Sequence, residues 1–172
     1  MKYRGDTNMK KQILTNTCNT DTCCFSADTL ILMADMSQKR VDQIRTGEMI
    51  MSIDEEVQEV GCDVENTTDT YAIIKTANEH EITITGDHPV FTEDGWKQVK
   101  HLVVGDKLKR AYLLENGAEF EEITSIEWKE EKQTVYNLIC EDKPMIANGF
   151  ICSDFHMQYK LVLCEKYKKN YY

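Results

Sequence analysis

Short apolar runs separated by polar, turn-prone residues make up most of the chain after residue 23. The runs are rich in β-branched side chains and often alternate with polar positions, as over residues 29–33, 49–51, 71–74 and 82–84. Such runs are typical of strands, and the stretches 70–76 and 81–85 predict a hairpin across residues 77–80. A sustained helical stripe is lacking, except weakly near the C-terminus. The pattern therefore predicts an all-β core.

One segment of the sequence occurs twice. Residues 39–50 recur 58 positions later as residues 97–108, and both copies read Val-x-x-(Ile/Leu)-x-x-Gly-acid-x-apolar. Glycine, here Gly47 and Gly105, permits a turn with positive φ, so each copy predicts a short helical turn followed by a strand. Turn–strand combinations are common, so coincidence is one explanation. The sharper interpretation is an internal duplication that gives two similar subdomains related by a pseudo-two-fold axis.

Charge and composition divide the chain into a body and two arms. Residues 1–23 are polar, rich in Thr, Asn and Asp, and aperiodic, which predicts a flexible arm. This arm carries a charge of +2 and the second arm, residues 155–172, carries +3, so the body over residues 24–154 holds the remaining −15 of a net charge of −10. An acidic body argues against nucleic-acid or membrane-surface binding, because phosphate contacts need clustered Lys and Arg.

The cysteines and the lack of a recognisable signal segment allow a prediction of the cellular compartment. The chain has seven cysteines, no apolar segment within residues 1–11, and no apolar run long enough to span a membrane. These features predict reduced thiols in a cytoplasmic chain, or in one exported by a route that the sequence does not show. The cysteine spacings are not typical of a zinc site. We therefore expect a monomer without a metal or cofactor.

Several blocks of the sequence, taken in order, resemble those of Hint domains, the fold shared by hedgehog proteins and inteins. The opening block, Cys-Phe-Ser-Ala-Asp-Thr-Leu-Ile, starts at Cys24 and leads into the first repeat copy. Thr-Gly-Asp-His-Pro-Val-Phe, which starts at Thr85 and contains His88, precedes the second copy, and the closing blocks lie at 135–138 and 146–151. The resemblance covers residues 24–154. It implies an all-β Hint fold with two pseudo-symmetric β subdomains.

The residues in these blocks are of the types that self-cleavage needs. A thiol is a good nucleophile near neutral pH, and Cys24 can attack the carbonyl of Cys23 through a five-membered ring, an N–S acyl shift that gives a thioester. The leaving nitrogen must be protonated, and His88, with an intrinsic pKa near 6.5, can deliver that proton. Thr85 resembles the family threonine that holds the scissile peptide and its developing oxyanion. A hydrogen bond aimed there contributes roughly 2.7–4 kcal/mol.

The closing block departs from that of splicing inteins, which end in His-Asn followed by Cys, Ser or Thr. Ser153, Asp154 and Phe155 occupy these three places. Phenylalanine cannot accept an acyl group, so splicing is not expected, and Asp154 cyclises less readily than asparagine. Asn137 stands where many family members have a catalytic aspartate. Cys152 is either an internal acyl acceptor or a strand cysteine near the active cleft.

The sequence therefore predicts cleavage after Cys23 as the main reaction. Water or a small thiol resolves the thioester, so the chain's own segment 1–23 is the substrate of a single-turnover reaction. One alternative is a degenerate Hint domain that serves as an interaction module, which a cleavage assay distinguishes. Another is a hydrolase in which Cys24 and His88 act on other proteins. That enzyme would cut an added peptide after truncation to begin at Cys24.

Overall fold

The structure of the protein, a computed structural model, describes residues 2–5, 23–111 and 119–153. These residues form fourteen strands and two short 3-10 turns, Val41–Gln43 and Val99–His101. The strands are β1 (Lys2–Gly5), β2 (Phe25–Ser26), β3 (Leu30–Leu32), β4 (Gln38–Arg40), β5 (Met49–Met51), β6 (Val57–Glu59), β7 (Cys62–Thr76), β8 (Glu81–Ile84), β9 (Pro89–Thr92), β10 (Gly95–Gln98), β11 (Lys107–Lys109), β12 (Phe120–Ile139), β13 (Met145–Ala147) and β14 (Phe150–Cys152). The predicted all-β fold is confirmed.

Twelve of these strands belong to one sheet. Its path is β1-β7-β8-β2-β12-β11-β9-β14-β13-β3-β4, with β10 on β9 and a further pairing of β7 with β12, while β5 and β6 form a separate pair. β7 and β12 run antiparallel along almost all of β7, with irregularities between Ile123 and Ser125 and between Glu130 and Gln133. β7 also pairs with β8 from Ala72–Ile84 to Lys75–Glu81. The hairpin predicted across residues 77–80 is thus present.

The two repeat copies adopt the same local structure. Each copy begins in the last residues of a strand (β4 or β10), continues through a 3-10 turn and a glycine, and ends in a further strand, β5 in the first copy and β11 in the second. The glycine has φ +90° at Gly47 and φ +100° at Gly105. Any other residue is strained at such angles, since its Cβ clashes with the backbone. Both copies therefore have the turn, glycine and strand that the repeat predicts.

The polar contacts of the two copies also correspond. In each copy the acidic residue after the glycine accepts the N–H of the residue three positions earlier and pairs with a lysine nine positions earlier. The sets are Glu48 with Arg45 (2.6 Å) and Lys39 (2.6 Å), and Asp106 with Val103 (3.0 Å) and Lys97 (3.1 Å). These matching turns and contacts agree with the pseudo-two-fold relation expected of a Hint fold.

Apolar side chains from both halves form one large buried cluster. It includes Phe25, Ile31, Ile50, Ile74, Ile84, Val90, Leu108, Leu138 and Phe150. A smaller cluster around Trp96 and Ile151 lies beside Phe91. Polar side chains of the opening, Thr-x-x-His and closing blocks are buried as well, at 0–1% exposure for Cys24, Thr85, His88 and Asn137. Buried polar groups need partners, so their hydrogen bonds define the candidate site.

The N-terminal segment differs from the expected flexible arm at four residues. Lys2–Gly5 form β1, antiparallel to residues 62–65 of β7. An exposed strand edge offers unpaired main-chain groups, and an extended segment can satisfy them whatever its hydropathy. Residues 6–22 and 154–172, which hold the rest of both predicted arms, lie outside the described residues. Among the described residues, no helix is both long and apolar enough to cross a membrane.

Candidate functional site

The peptide bond between Cys23 and Cys24 lies where three strands meet. β2, which starts one residue later, lies between β8 and β12, and Phe25 is opposite Ile84 on one side and Tyr136 on the other. One step further along these antiparallel registers, Thr85 and Asn137 become the neighbours of Cys24. Residues 61 and 114 positions away in sequence therefore reach the same peptide.

Both polar atoms of this peptide are hydrogen-bonded to buried side chains. The Asn137 side-chain amide donates to the carbonyl oxygen of Cys23 at 2.5 Å. The N–H of Cys24 donates to the hydroxyl oxygen of Thr85 at 2.9 Å. The Asn137 side-chain oxygen accepts the N–H of Leu138 at 2.7 Å, which orients the amide so that its NH₂ points at Cys23. The peptide is thus held at the atoms whose charge changes during an acyl shift.

The peptide atoms that Thr85 contacts differ from those that the resemblance implies. That resemblance gives Thr85 contact with both the peptide and the developing oxyanion. In the structure the Thr85 hydroxyl contacts the amide nitrogen side, and the donor at the carbonyl oxygen is Asn137. An asparagine can donate where an ionised aspartate only accepts. The departure at residue 137 therefore changes the chemistry available at the carbonyl.

The Cys24 thiol is fully buried in the core. Its side chain is 0% exposed, and burial raises the pKa of the thiol far above its ordinary value. The described cysteines, Cys23, Cys24, Cys62, Cys140 and Cys152, are all buried. Because the thiolate is disfavoured here, Cys24 could act as a nucleophile only with a group that removes its proton.

His88 lies at the turn between β8 and β9 and contacts the neighbours of this peptide, Thr85 and Phe25. The backbone N–H of His88 donates to the carbonyl oxygen of Thr85 at 3.3 Å. The centre of the His88 ring lies 4.4 Å from the centre of the Phe25 ring. Nε2 is 2.9 Å from the carbonyl oxygen of Ser153. Since a carbonyl only accepts, Nε2 carries the hydrogen and Nδ1 presents a lone pair. Within the described residues, Nδ1 is buried without a hydrogen-bond partner.

The protonation state of His88 differs from that of an isolated imidazole. Burial lowers the pKa of His88 from 6.5 to about 4, and the hydrogen bond to Ser153 only partly opposes this shift. The ring is therefore neutral near pH 7, and it has no proton on Nδ1 to deliver. It must accept a proton before it donates one, which the intrinsic pKa alone did not indicate.

The predicted site residues at the downstream end, 152–155, make fewer side-chain hydrogen bonds among the described residues than those around the 23–24 peptide. Cys152 is fully buried in β14, opposite Val90 and Met145, and burial raises the pKa of its thiol. This placement is that of a strand cysteine in the core. The Ser153 N–H donates to the carbonyl oxygen of Pro89 at 3.1 Å, while its hydroxyl is buried without a hydrogen-bond partner among the described residues. Asp154 and Phe155 lie outside the described residues.

Sequence reasoning missed a buried ion pair that supports the closing strands. The Arg110 guanidinium donates to the carbonyl oxygen of Asn148 at 2.6 Å, lies 4.7 Å from the centre of the Phe150 ring and is 3.4 Å from the Glu121 carboxylate. It covers the turn where Asn148 and Gly149 have φ +48° and +82°. Asn-Gly is a signal for such a turn. Nothing in the sequence around Arg110 marks it as the residue beneath that turn.

A solvent-accessible cleft lies apart from the candidate catalytic residues. Its volume is about 320 Å³, and Ser52, Phe91, Trp96, Lys109, Lys143 and Ile151 are among its lining residues. None of Cys24, Thr85, His88 and Asn137 lines it. In the ranges that the structure describes, no group of three or more His, Cys, Asp and Glu side chains could hold a metal ion.

Known proteins resemble this chain in sequence and in fold. A DNA-directed RNA polymerase III subunit rpc2 from Dictyostelium discoideum is 31% identical over 110 residues, a match that takes in 53% of this chain but only 6% of that subunit. The solution structure of a bacterial intein-like domain from Clostridium thermocellum has a TM-score of 0.67 at 21% identity, covering 78% of this chain and 99% of that one. A DnaB intein from Synechocystis has a TM-score of 0.64 at 22% identity, covering 77% and 99%.

At these identities the two solved structures show the fold alone, and it is the intein-like Hint fold. The family assignment comes from the sequence, which matches the family named Vint and described as a Hint domain over residues 23–113. That match includes the opening block, both repeat copies and the Thr-x-x-His block. The chain therefore belongs to the Vint family of Hint domains.

Proposed function

We propose that this domain cleaves its own chain after Cys23. Cys24 attacks the Cys23 carbonyl, and the resulting thioester is resolved by water or a small thiol, which releases the upstream segment. The observation that supports this proposal is that both polar atoms of the 23–24 peptide are hydrogen-bonded to side chains. Asn137 contacts its carbonyl oxygen and Thr85 contacts its N–H, both within the core.

The hydrogen bond from Asn137 supports the first step. As Cys24 Sγ bonds to the Cys23 carbonyl carbon, negative charge develops on the carbonyl oxygen. A donor already aimed at this oxygen in a buried setting stabilises that charge without reorganisation, and such donors contribute about 2.7–4 kcal/mol in well-characterised cases. The same bond keeps the carbonyl fixed relative to the sulfur of the next residue.

The state of His88 supports a proton relay between the thiol and the leaving nitrogen. Nδ1 accepts the proton of Cys24 Sγ as the sulfur–carbon bond forms. The same proton then passes to the Cys24 nitrogen as the carbon–nitrogen bond breaks, which leaves a thioester and a free amine. A neutral imidazole with one nitrogen held by Ser153 has the right atom unprotonated for this sequence. The proton count balances without any external reactant.

Resolution of the thioester completes the cleavage. Water yields a carboxylate at Cys23 and regenerates the Cys24 thiol, whereas a small thiol yields a new thioester on the released segment. Transfer to a downstream nucleophile is not part of the proposal, because Phe155 has no nucleophilic atom. Cys152, which is buried in β14, is not assigned a role in acyl transfer.

The burial of Cys24 argues against a hydrolase that acts on other proteins. An external peptide would need to reach a sulfur that is 0% exposed and whose own N–H and preceding carbonyl are already engaged. An interaction module without cleavage activity remains the alternative outcome of the test.

The test is mass spectrometry of the purified 172-residue chain, incubated near neutral pH with and without a small thiol. We expect loss of residues 1–23, faster with the thiol, because a thiol attacks a thioester more readily than water does. Cys24→Ala removes the nucleophile and is expected to abolish the loss. Cys140→Ala is the matched control, since it removes another buried thiol outside the site.

Two results would contradict the proposal. One is an unchanged mass over days in the presence of the thiol, which would favour the interaction module. The other is loss of residues 1–23 from the Cys24→Ala variant, which would identify a contaminating protease as the cause.

A further inference from the structure

The outer edge of β7 at residues 62–65 is occupied by a segment of the chain that precedes the cut. β12 pairs with β7 along its other edge, and β8 pairs with the outer edge only at residues 72–75. β1 (Lys2–Gly5) lies antiparallel on the outer edge at Cys62–Glu65. We call residues 62–65 the β7 outer edge. Addition of a strand to a sheet edge is a general way in which proteins bind extended peptides.

The register of this pairing matches opposite charges. Lys2 lies opposite Glu65 and Arg4 lies opposite Asp63. Residues two apart in a strand share a face, so the basic positions of β1 and the acidic positions of β7 alternate in phase. Opposite charges directly across an antiparallel pair stabilise it, and like charges there destabilise it. A shift by one residue would place Lys2 and Arg4 away from both acids.

The β7 outer edge is also close to the scissile peptide. Tyr3 is opposite Val64, and Val64 is opposite Asn137, the donor to the Cys23 carbonyl. With strands about 4.7–4.9 Å apart, the docked segment lies about 10 Å from the Asn137 backbone. The 17 residues between Gly5 and Cys23 can span this distance several times over. Docking and cleavage thus involve the two sides of one strand.

We infer that the β7 outer edge is a docking site for the upstream segment, and that it takes an extended peptide with basic residues at alternate positions. Main-chain pairing supplies the binding and the acidic pair Asp63 and Glu65 supplies the preference for basic residues. The description of this segment as a substrate rests on the proposed function. The docking itself does not, because the β1–β7 pairing exists before any bond is cut.

The test is hydrogen exchange followed by mass spectrometry on the full chain carrying Cys24→Ala, which prevents cleavage. Tyr3→Pro/Arg4→Pro removes two main-chain donors from β1. We expect exchange at residues 62–65 to accelerate about tenfold, while amides in β12 keep their rates. Thr15→Pro/Asn16→Pro is the matched control, since it places the same two prolines upstream of the cut but outside β1.

Charge reversal tests the basic preference separately. Lys2→Glu places two acids opposite each other and is expected to speed exchange at residues 62–65 about two- to fivefold. Lys2→Glu/Glu65→Lys restores opposite charges and is expected to return the rate to that of the parent. Glu59→Lys, on β6, controls for the change in net charge.

The possible outcomes separate the two claims. Exchange at residues 62–65 that does not respond to the proline pair would overturn the docking site. Exchange that responds to proline but not to charge would overturn the preference for basic residues. A chain that docks normally but never loses residues 1–23 would contradict the proposed cleavage and leave the docking site standing, since exchange is measured without the nucleophile.

Discussion

His88 contacts the upstream end of the domain through Phe25 and the downstream end through Ser153, yet the two ends differ in their hydrogen bonds. At the upstream end, the peptide between residues 23 and 24 has a thiol next to it, a donor at its carbonyl and an acceptor at its N–H. At the downstream end, Ser153 donates to Pro89 and its carbonyl accepts from His88, while its own hydroxyl has no hydrogen-bond partner among the described residues. One end has the contacts that the proposed cleavage needs, and the other end holds the His88 imidazole.

The proposed cleavage after Cys23 does not depend on the side chains that would complete splicing at the downstream end. The closing strand still fixes the His88 tautomer through a main-chain carbonyl, which any residue at position 153 provides. The side chains at 153–155 can therefore differ from the splicing pattern without affecting the proposed step.

The largest effect is expected from His88→Gln. Glutamine can still donate to the Ser153 carbonyl but cannot relay a proton, so thiol-induced release of residues 1–23 should slow by about 10²–10⁴-fold. Gel densitometry or mass spectrometry over time measures the rate. His101→Gln, an exposed histidine in the second 3-10 turn, is the control. A rate within a few-fold of the parent would mean that His88 only supports the fold.

Asn137→Ala should slow the same release by about 10²–10³-fold, because it removes the donor at the Cys23 carbonyl. Asn137→Asp should slow it at least as much near neutral pH, since an ionised carboxylate has no hydrogen to donate. Asn66→Ala, on the facing strand β7, is the control. If the aspartate variant cleaved faster than the parent, the donor role of Asn137 would be wrong.

The buried state of His88 should be visible in the pH dependence of stability. Its pKa is about 4 in the folded chain and 6.5 when unfolded, so the unfolded state binds more protons between these values. As pH falls from 6.5 to 4, the free energy of unfolding should decrease by about 3 kcal/mol from this group. Urea denaturation in the Cys24→Ala background measures it. His88→Gln should lose less stability over the same range, and equal losses would contradict the assignment.

The smallest effect is expected from Ser153→Ala. The hydroxyl has no hydrogen-bond partner in the described part of the chain, and the main-chain carbonyl that holds His88 is retained. The free energy of unfolding should change by less than about 0.5 kcal/mol, and the release rate by less than about twofold. A large loss of cleavage would show that the downstream side chain takes part in the reaction, which would remove the contrast between the two ends.

Features encoded within a few residues could be predicted well. Gly47 and Gly105 needed positive φ, and the apolar residues around them needed a short turn and a strand; both copies have these elements. The hairpin of β7 and β8 followed from alternation alone. The resemblance of the sequence blocks placed Cys24, Thr85 and His88 in one site, where their hydrogen bonds connect them.

Features that depend on burial or on distant partners could not be predicted in the same way. The sequence showed only that Asn137 stands where many family members have a catalytic aspartate, whereas the register of β12 against β2 makes it a donor to Cys23. The pKa of His88 depends on its complete burial, which no local pattern measures. Arg110 and Glu121 come together from separate strands beneath the closing turn.

The sequence by itself determined the strands and the two repeated turns and singled out Cys24 as the candidate nucleophile, since these depend on backbone preferences and on side-chain chemistry. Only the tertiary structure decided which atom of the peptide each side chain contacts, which nitrogen of His88 bears a proton and where β1 docks. The physical reason is the sequence separation over which each property is set. Backbone conformation is set by neighbours along the chain, whereas hydrogen-bond partners and desolvation are set by which strands the folded sheet brings together.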